Sequence, residues 1–255
     1  MVDLMKDKVK IYALLTAHSY PKRRVLDKDS QLRNKLIHKK TRKVSLELKI
    51  LRGYEIVSDM TSTKYVTYCN KDKKTVVMSI RGTDLFQVEE NDLLTDALLI
   101  FGMEKCRNCY KLTYNNLKEI YKRYPKYKVV LVGSSLGGRI CIDLLDSDLG
   151  KKIEEVHVFN TATGPKQLYD SAVCSMEKIP KESRSMCKGR DKLHIHLINN
   201  DPISIMSLGE KAKTRRVHPR KKESSDLLVG KNKAIKTNHS IMNFILILTQ
   251  LLKLQ

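Results

Sequence analysis

Apolar runs and helically spaced apolar residues alternate along the chain. Two runs, Val129–Val132 and Thr75–Ile80, are typical of strands that are buried on both faces. Residues that favour β-structure predict further strands at Tyr54–Met60, Lys64–Asn70, Ile153–Asn160 and Leu193–Ile198. Helical spacing predicts helices over residues 5–20, Tyr110–Tyr124, Ile140–Leu145 and Ile241–Leu254. Strands that alternate with helices predict an α/β protein, with a mainly parallel central sheet and helices on both faces.

The length and composition limit the number of domains and the cellular compartment. A chain of 255 residues that is 41% hydrophobic can bury one substantial core, so we expect a single domain over residues 1–255. The N-terminus lacks the apolar core of a signal peptide, and the run Phe244–Leu248 is too short to span a bilayer. Six cysteines do not make a disulfide framework in a chain of this length. We therefore expect an intracellular protein that is soluble or peripherally attached to a membrane.

Lysine and arginine outnumber the acidic residues and give a formal net charge of +21. They are concentrated in the basic N-terminal segment 1–50 and in residues 210–238. Within the first, we interpret residues 21–43 as a loop or an exposed helix, and we interpret 210–238 as a basic loop. This charge favours anionic partners, and an anionic membrane surface is a better candidate than nucleic acid. A solvated basic surface that binds no partner explains the same charge.

A Gly-x-Ser-x-Gly pattern stands between the strand Val129–Val132 and the helix that follows. It reads GSSLGG over Gly133–Gly138. A serine at such a sharp turn holds its hydroxyl above the sheet, and neighbouring chain passes close on both sides, so the flanking positions need almost no side chain. The pattern predicts Ser135 as a nucleophile and the backbone N–H of Leu136 as one oxyanion donor. The alternative is a glycine-rich turn that binds phosphate or no ligand, but the Lys-Ser/Thr of a phosphate loop is absent.

Further segments resemble the class 3 (fungal-type) lipases, a family with the α/β-hydrolase fold. The family's usual elbow reads GHSLGG, where this chain has GSSLGG. Ser79–Asp84 (SIRGTD) is similar to the family's oxyanion strand and turn, and Asp92–Asp96 (DLLTD) to the segment after it. Three later segments resemble the loop after the elbow helix, the acid loop and the histidine loop: Phe159–Pro165, Asn200–Pro202 and His239–Ser240. The resemblance implies an α/β-hydrolase in which Thr83 supplies the second oxyanion donor.

The order serine, acid, histidine along α/β-hydrolase chains selects candidates for the other two catalytic roles. Asp201 directly follows a predicted strand, on the edge where the acid belongs, whereas Asp191 precedes that strand. His239 lies just before the last predicted helix, whereas His218 stands among lysines and arginines that would lower its basicity. We therefore predict a triad of Ser135, Asp201 and His239, which the resemblance also implies.

Other residues with chemical potential have simpler interpretations. Cys106 and Cys109 form a lone Cys-x-x-Cys that we interpret as reduced thiols, since a metal site would need Cys174, Cys187 or histidines as further ligands. We interpret three histidines within predicted strands as structural residues: His157, His194 and His196. The apolar stretch Leu93–Met103 predicts a core helix, and the resemblance places it near an active-site lid. Neither a metal nor an organic cofactor is implied.

The predicted function is hydrolysis of lipid esters by a lipase-like serine esterase through an acyl-enzyme. Two alternatives stay open. One is a catalytically silent hydrolase-fold protein that binds a membrane or nucleic acid through its basic stretches. The other is an enzyme that acts on thioesters or amides. The presence of all three triad residue types in order argues against the silent protein, whereas the sequence does not discriminate between the bonds cleaved.

Overall fold

A computed structural model describes residues 2–20, 44–82, 105–161, 189–198 and 213–217. The described helices are α1 (Val2–Ser19), α2 (Lys105–Arg123) and α3 (Leu136–Leu145). The described strands are β1 (Tyr54–Ile56), β2 (Tyr65–Asn70), β3 (Thr75–Ile80), β4 (Lys128–Ser134), β5 (Ile153–Phe159), β6 (Leu193–Ile198) and β7 (Lys213–Val217).

The strands of the described residues form one sheet, in the order in which they follow along the chain. β1, β2 and β3 are antiparallel neighbours, and β3 to β7 run parallel. Ile80 on β3 pairs with Gly133 on β4, and Ser134 pairs with Phe159 on β5. The carboxyl ends of these strands therefore lie side by side, at the edge where α/β proteins place their ligand sites. The predicted α/β class with a mainly parallel sheet is confirmed.

Both faces of the sheet are buried beneath helices, as the continuous apolar runs predict. One core cluster joins α1 to side chains on one face of the sheet: Val77, Val130, Val132 and Phe159. The other joins α2 and α3 to the opposite face: Met78, Ile80, Leu131, Val158 and Ile195. This alternation follows from the two-residue period of a strand, which sends successive side chains to opposite faces.

Two predictions from the sequence need correction. The predicted strand Tyr54–Met60 ends at Ile56, because Ser58–Met60 forms a 3₁₀ turn; serine and aspartate favour such turns. Residues 213–217 of the predicted basic loop 210–238 form β7, which pairs with β6 through its backbone. The rest of that loop, residues 21–43 of the basic N-terminal segment, and Ile241–Leu254 lie outside the described residues. Among the described helices, none has the length and apolarity needed to cross a bilayer.

Helix α2 offers a test of the packing, because it carries one buried and one exposed leucine. Leu117 has no exposed surface, whereas Leu112 is 50% exposed. Leu117→Ala should lower the free energy of unfolding by about 2–5 kcal/mol, since it leaves a cavity beneath the sheet. Leu112→Ala should change it by about 0.5 kcal/mol or less. Urea denaturation at neutral pH measures both; equal losses would contradict the packing of α2 on the sheet.

Candidate active site

Ser135 is the single residue that connects β4 to α3. Its backbone has φ 55° and ψ −127°. A positive φ is uncommon for a residue with a side chain, and residues held in such conformations cluster at functional sites. The strand, the sharp turn and the helix therefore lie where the Gly-x-Ser-x-Gly pattern predicted them.

The glycines around Ser135 are required by close approaches of the backbone. A Cβ on Gly133 would lie 2.6 Å from the carbonyl carbon of Gly137, and a Cβ on Gly137 would lie 2.2 Å from the carbonyl oxygen of Ile80. These contacts are with backbone atoms that cannot move aside as a flexible side chain can. Neighbouring chain thus passes close to the elbow, as the Gly-x-Ser-x-Gly pattern predicts, and the structure shows that the carboxyl end of β3 is one such neighbour.

Backbone and side-chain hydrogen bonds fix the Ser135 peptide without using the serine hydroxyl. The Ser135 N–H donates to the Phe159 carbonyl at 3.1 Å. The Ser135 carbonyl accepts from the Thr161 hydroxyl at 3.3 Å and from the Arg139 N–H at 3.2 Å. Ser135 occupies the N-cap position of α3, yet its side chain makes no capping hydrogen bond. The geometry therefore leaves the hydroxyl uncommitted to the helix, as a nucleophile requires.

The N-terminus of α3 provides a place for negative charge next to Ser135. Leu136 is the first residue of this helix, and the first four N–H groups of a helix have no partner within it. The helix dipole adds partial positive charge at the same end. The predicted oxyanion donor Leu136 thus lies beside the predicted nucleophile. The second predicted donor, Thr83, lies outside the described residues.

The residue before Thr83 is described, and it packs directly on the elbow. A Cβ on Gly82 would lie 2.4 Å from the Ser134 carbonyl oxygen and 2.9 Å from the Ser135 Cβ. The end of the β3 segment therefore reaches the elbow itself. Only glycine allows the two segments to come this close.

A tyrosine hydroxyl links these two segments, and sequence reasoning missed it. The Gly82 N–H donates to the Tyr20 hydroxyl at 2.7 Å, and the same hydroxyl lies 2.7 Å from Ser134 Oγ. Tyr20 is 1% exposed and Ser134 3% exposed. The sequence feature that could have pointed to this contact is Ser134, which stands where the resembling family usually has a histidine. Nothing local to Tyr20 indicates a partner that is 114 positions away.

The predicted acid and base, Asp201 and His239, lie outside the described residues, as does His218. The rejected acid, Asp191, is exposed in the 3₁₀ turn that precedes β6. It therefore stands at the amino end of that strand, opposite to the edge that carries Ser135. Asp201 follows the last residue of β6 by three positions in the sequence. β6 lies two strands from β4, which corresponds to about 10 Å across the sheet.

The histidines of β5 and β6 form a cluster on the α1 face, in which His157 and His196 are buried and His194 is partly buried. His157 Nε2 lies 3.1 Å from a carboxylate oxygen of Glu155, and His157 Nδ1 lies 3.1 Å from His196 Nε2. Burial lowers the pKa of His157, although the hydrogen bond to Glu155 opposes the shift, so the ring is neutral at pH 7. A neutral imidazole carries one N–H, which donates to the carboxylate; Nδ1 then accepts from His196. The interpretation of His157 as a structural histidine is confirmed.

The same cluster contains the one group of described side chains whose donor atoms are close enough to share a metal ion. The ligand atoms of Glu155, His157 and His194 lie within 4.8 Å of one another. However, the His157 and His194 rings stack almost parallel, 9° apart with centroids at 4.4 Å. The in-plane lone pairs of stacked rings do not converge on one ion. Glu155 is also paired with Lys8, so we interpret the group as a hydrogen-bonded network.

The cysteines of the described residues are free thiols: Cys69, Cys109 and Cys141. Burial raises the pKa of the Cys141 thiol, which makes it a poor nucleophile. The Cys106 side chain and the further ligands that a metal site would need, Cys174 and Cys187, lie outside the description. The interpretation of Cys106 and Cys109 as ordinary thiols stays a prediction.

Comparison with known proteins finds structural neighbours of this chain. No protein-family model matches it, and no curated protein matches its sequence. Solved structures of fungal lipases do match. The Rhizomucor miehei triacylglyceride lipase aligns over 94% of this chain and 97% of its own, with a TM-score of 0.52 and 11% identity. The Lip2 lipase from Yarrowia lipolytica aligns over 84% of this chain and 78% of its own, with a TM-score of 0.51 and 16% identity.

The chain has the α/β-hydrolase fold of these lipases. The resemblance to class 3 lipases that was predicted from the sequence is confirmed at the level of the fold. An α/β-hydrolase places its nucleophile on the turn between a strand and the following helix. Ser135 occupies that turn in this chain, between β4 and α3.

The histidine cluster predicts a pH-dependent stability. Burial alone would raise the pKa of Glu155, but the hydrogen bonds from His157 and Lys8, the charge of Lys8 and the charge that His157 carries once it is protonated at low pH outweigh it and lower the pKa from 4.5 to about 2. The ionised carboxylate thus stabilises the fold above pH 4.5, by at most about 3 kcal/mol, and this contribution is lost as the pH falls towards 2. Glu155→Gln should therefore destabilise the protein at pH 6, and its difference from wild type should shrink below pH 4.5.

The control for this prediction is Glu154→Gln. Glu154 lies on the same strand and pairs with Lys128 in an exposed ion pair, which contributes at most about 1 kcal/mol. Urea denaturation of the three proteins over pH 3–7 provides the measurement. A loss for Glu155→Gln that stays constant over this range would contradict the role given to its charge.

Proposed function

We propose that this chain is a serine hydrolase that cleaves lipid esters through an acyl-enzyme. The observation that carries the proposal is the geometry of Ser135, a non-glycine residue with φ 55° at the turn between β4 and the N-terminus of α3. The lipase structures that share this fold support the class of substrate. No cofactor enters the proposed reaction.

In the proposed mechanism, Ser135 Oγ attacks the ester carbonyl while His239 accepts its proton. Asp201 orients His239 and stabilises the imidazolium that forms. The carbonyl oxygen becomes an oxyanion, and the N–H groups of Leu136 and Thr83 bind it. Collapse of this intermediate expels the alcohol, protonated by His239, and leaves an acyl group on Ser135. Water, deprotonated by His239, then attacks the acyl-enzyme and releases the carboxylic acid.

Substitution of the triad tests this proposal on a soluble short-chain ester such as p-nitrophenyl butyrate. Ser135→Ala should reduce kcat by at least about 10⁴-fold, because the covalent step is lost. Asp201→Asn should reduce it by about 10⁴-fold and His239→Ala by a similar factor, because the base is misdirected or missing. His218→Ala should stay close to wild type, since it takes no part in the mechanism.

The control for Ser135→Ala is Ser79→Ala on the adjacent strand. The Ser79 hydroxyl is fully buried and has no hydrogen-bond partner among the described residues, so its removal should leave folding and turnover intact. Near-normal turnover of Ser135→Ala would contradict the proposal. A panel of esters, thioesters and amides with graded acyl chains measures which bond the wild-type protein prefers. A silent hydrolase-fold protein would cleave none of them.

The charge of +21 supports action at an anionic lipid surface. Each lysine or arginine near such a surface contributes about 1 kcal/mol, and this attraction is screened over about 8 Å at physiological salt. Added salt should therefore suppress hydrolysis of phosphatidylserine-containing vesicles, whereas hydrolysis of the soluble ester should change little. Equal sedimentation with neutral and anionic vesicles would contradict this part of the proposal, and salt-sensitive retention on DNA without a vesicle preference would favour nucleic acid.

A further inference from the structure

We propose that Tyr20 is a positioning residue whose hydroxyl holds Gly82, two residues beyond the end of β3, in register with the nucleophile elbow. This inference rests on the proposed function, because the position of Gly82 matters through the proposed oxyanion donor Thr83, the next residue in the sequence. Its basis in the structure is the pair of 2.7 Å contacts from one hydroxyl, to the Gly82 N–H and to Ser134 Oγ.

The position of Tyr20 is fixed by packing. It directly follows α1, and its N–H donates to the Ala17 carbonyl at 3.3 Å. Its side chain is 1% exposed and belongs to the same core cluster as Val132 and Phe159. A buried ring in a close-packed core has little freedom to move. Its hydroxyl therefore provides a fixed point beside the elbow.

The hydrogen-bond roles at this point follow from the chemistry of the three groups. The Gly82 N–H can only donate, so the tyrosine oxygen accepts there. The phenol O–H is then available to donate to Ser134 Oγ, or the serine O–H donates to the phenol. Either way one oxygen joins the end of the β3 segment to the end of β4. Ser134 is buried and the bond to Gly82 is partly buried, so loss of the tyrosine oxygen would leave a buried serine hydroxyl and a partly buried N–H without this partner.

Gly82, the residue that Tyr20 holds, directly precedes the proposed second oxyanion donor in the sequence. Gly82 is one peptide unit before Thr83, and it packs against the Ser134 carbonyl and the Ser135 Cβ. Misplacement of a catalytic group by about 1 Å can reduce a rate about 10²-fold. Loss of one oxyanion donor reduces kcat by about 10²–10³-fold. A small shift of Gly82 would thus weaken binding of the oxyanion in the transition state. The nucleophile and its base would stay in place.

The matched control is Tyr68, a second buried tyrosine of the same core cluster. Its hydroxyl lies 2.7 Å from His18 Nδ1 and 3.3 Å from the Leu15 carbonyl oxygen, so it bonds to α1 and to neither segment of the elbow. Tyr68→Phe removes the same chemical group from the same core. This variant measures how the loss of a buried tyrosine hydroxyl affects stability when the elbow is not contacted.

The experiment compares Tyr20→Phe and Tyr68→Phe on p-nitrophenyl butyrate, with thermal melting as the measure of folding. Tyr20→Phe should reduce kcat by about 10–100-fold with KM within about threefold, because the lost positioning affects only the transition state. Tyr68→Phe should keep kcat within about threefold. Amide hydrogen exchange of the peptide containing Gly82 should accelerate in Tyr20→Phe and stay unchanged in Tyr68→Phe.

The two hypotheses fail in different ways. A wild-type chain that hydrolyses no ester would overturn the proposed function and, with it, the catalytic part of the Tyr20 inference. An active wild type whose kcat is unchanged by Tyr20→Phe would overturn the role of Tyr20 alone. So would an equal loss of kcat in Tyr68→Phe, or a loss that only follows the folded fraction. Unchanged exchange at Gly82 would show that the hydroxyl does not hold this residue in place.

Discussion

The contact between Gly137 and the carboxyl end of β3 is the constraint on which the site depends. A Cβ at Gly137 would lie 2.2 Å from the Ile80 carbonyl oxygen. Helix α3 can therefore lie this close to β3 only because residue 137 has no side chain. Parallel pairing of Ile80 with Gly133 brings the same two segments together from the strand side. Backbone geometry alone therefore sets Ser135 beside the segment that leads to Thr83.

The N-terminal helix takes part in positioning the elbow. Helix α1 covers one face of the sheet, and the residue after it, Tyr20, reaches both segments of the elbow. On the same face, Lys8 pairs with Glu155, which accepts a hydrogen bond from His157 and orients that ring, while burial lowers the pKa of His157 and keeps the ring neutral. Polar contacts as well as apolar packing therefore join α1 to this face of the sheet. Such contacts fix where α1 lies on the sheet, which apolar packing specifies less sharply.

The parts of the fold that the sequence predicts best are those with strong local patterns. The apolar run Thr75–Ile80 forms β3 with the same limits, because residues buried on both faces leave an unbroken apolar run. β7 escaped prediction because it is rich in lysine and arginine and pairs through its backbone, so composition indicated a loop. Tyr20 escaped because its partner Ser134 is distant in sequence, and no local period encodes such a contact.

The sequence predicts some residues of the candidate site from a local pattern and others only from chain order and resemblance. The Gly-x-Ser-x-Gly spacing encodes a backbone conformation, so Ser135 and Leu136 could be placed from residues alone. The assignments of Asp201, His239 and Thr83 depend on chain order and resemblance, and these residues lie outside the described part of the chain. A role for Ser135 as nucleophile is therefore the claim from which the other assignments follow.

Covalent labelling followed by peptide mapping tests that claim most directly. A fluorophosphonate reacts with a serine hydroxyl that is activated by a neighbouring base and faces an oxyanion hole. Mass spectrometry of the treated wild-type protein should find one adduct, on Ser135, and none after the protein is unfolded before treatment. An adduct on Ser134 or on another serine, or no adduct on the folded protein, would contradict the account.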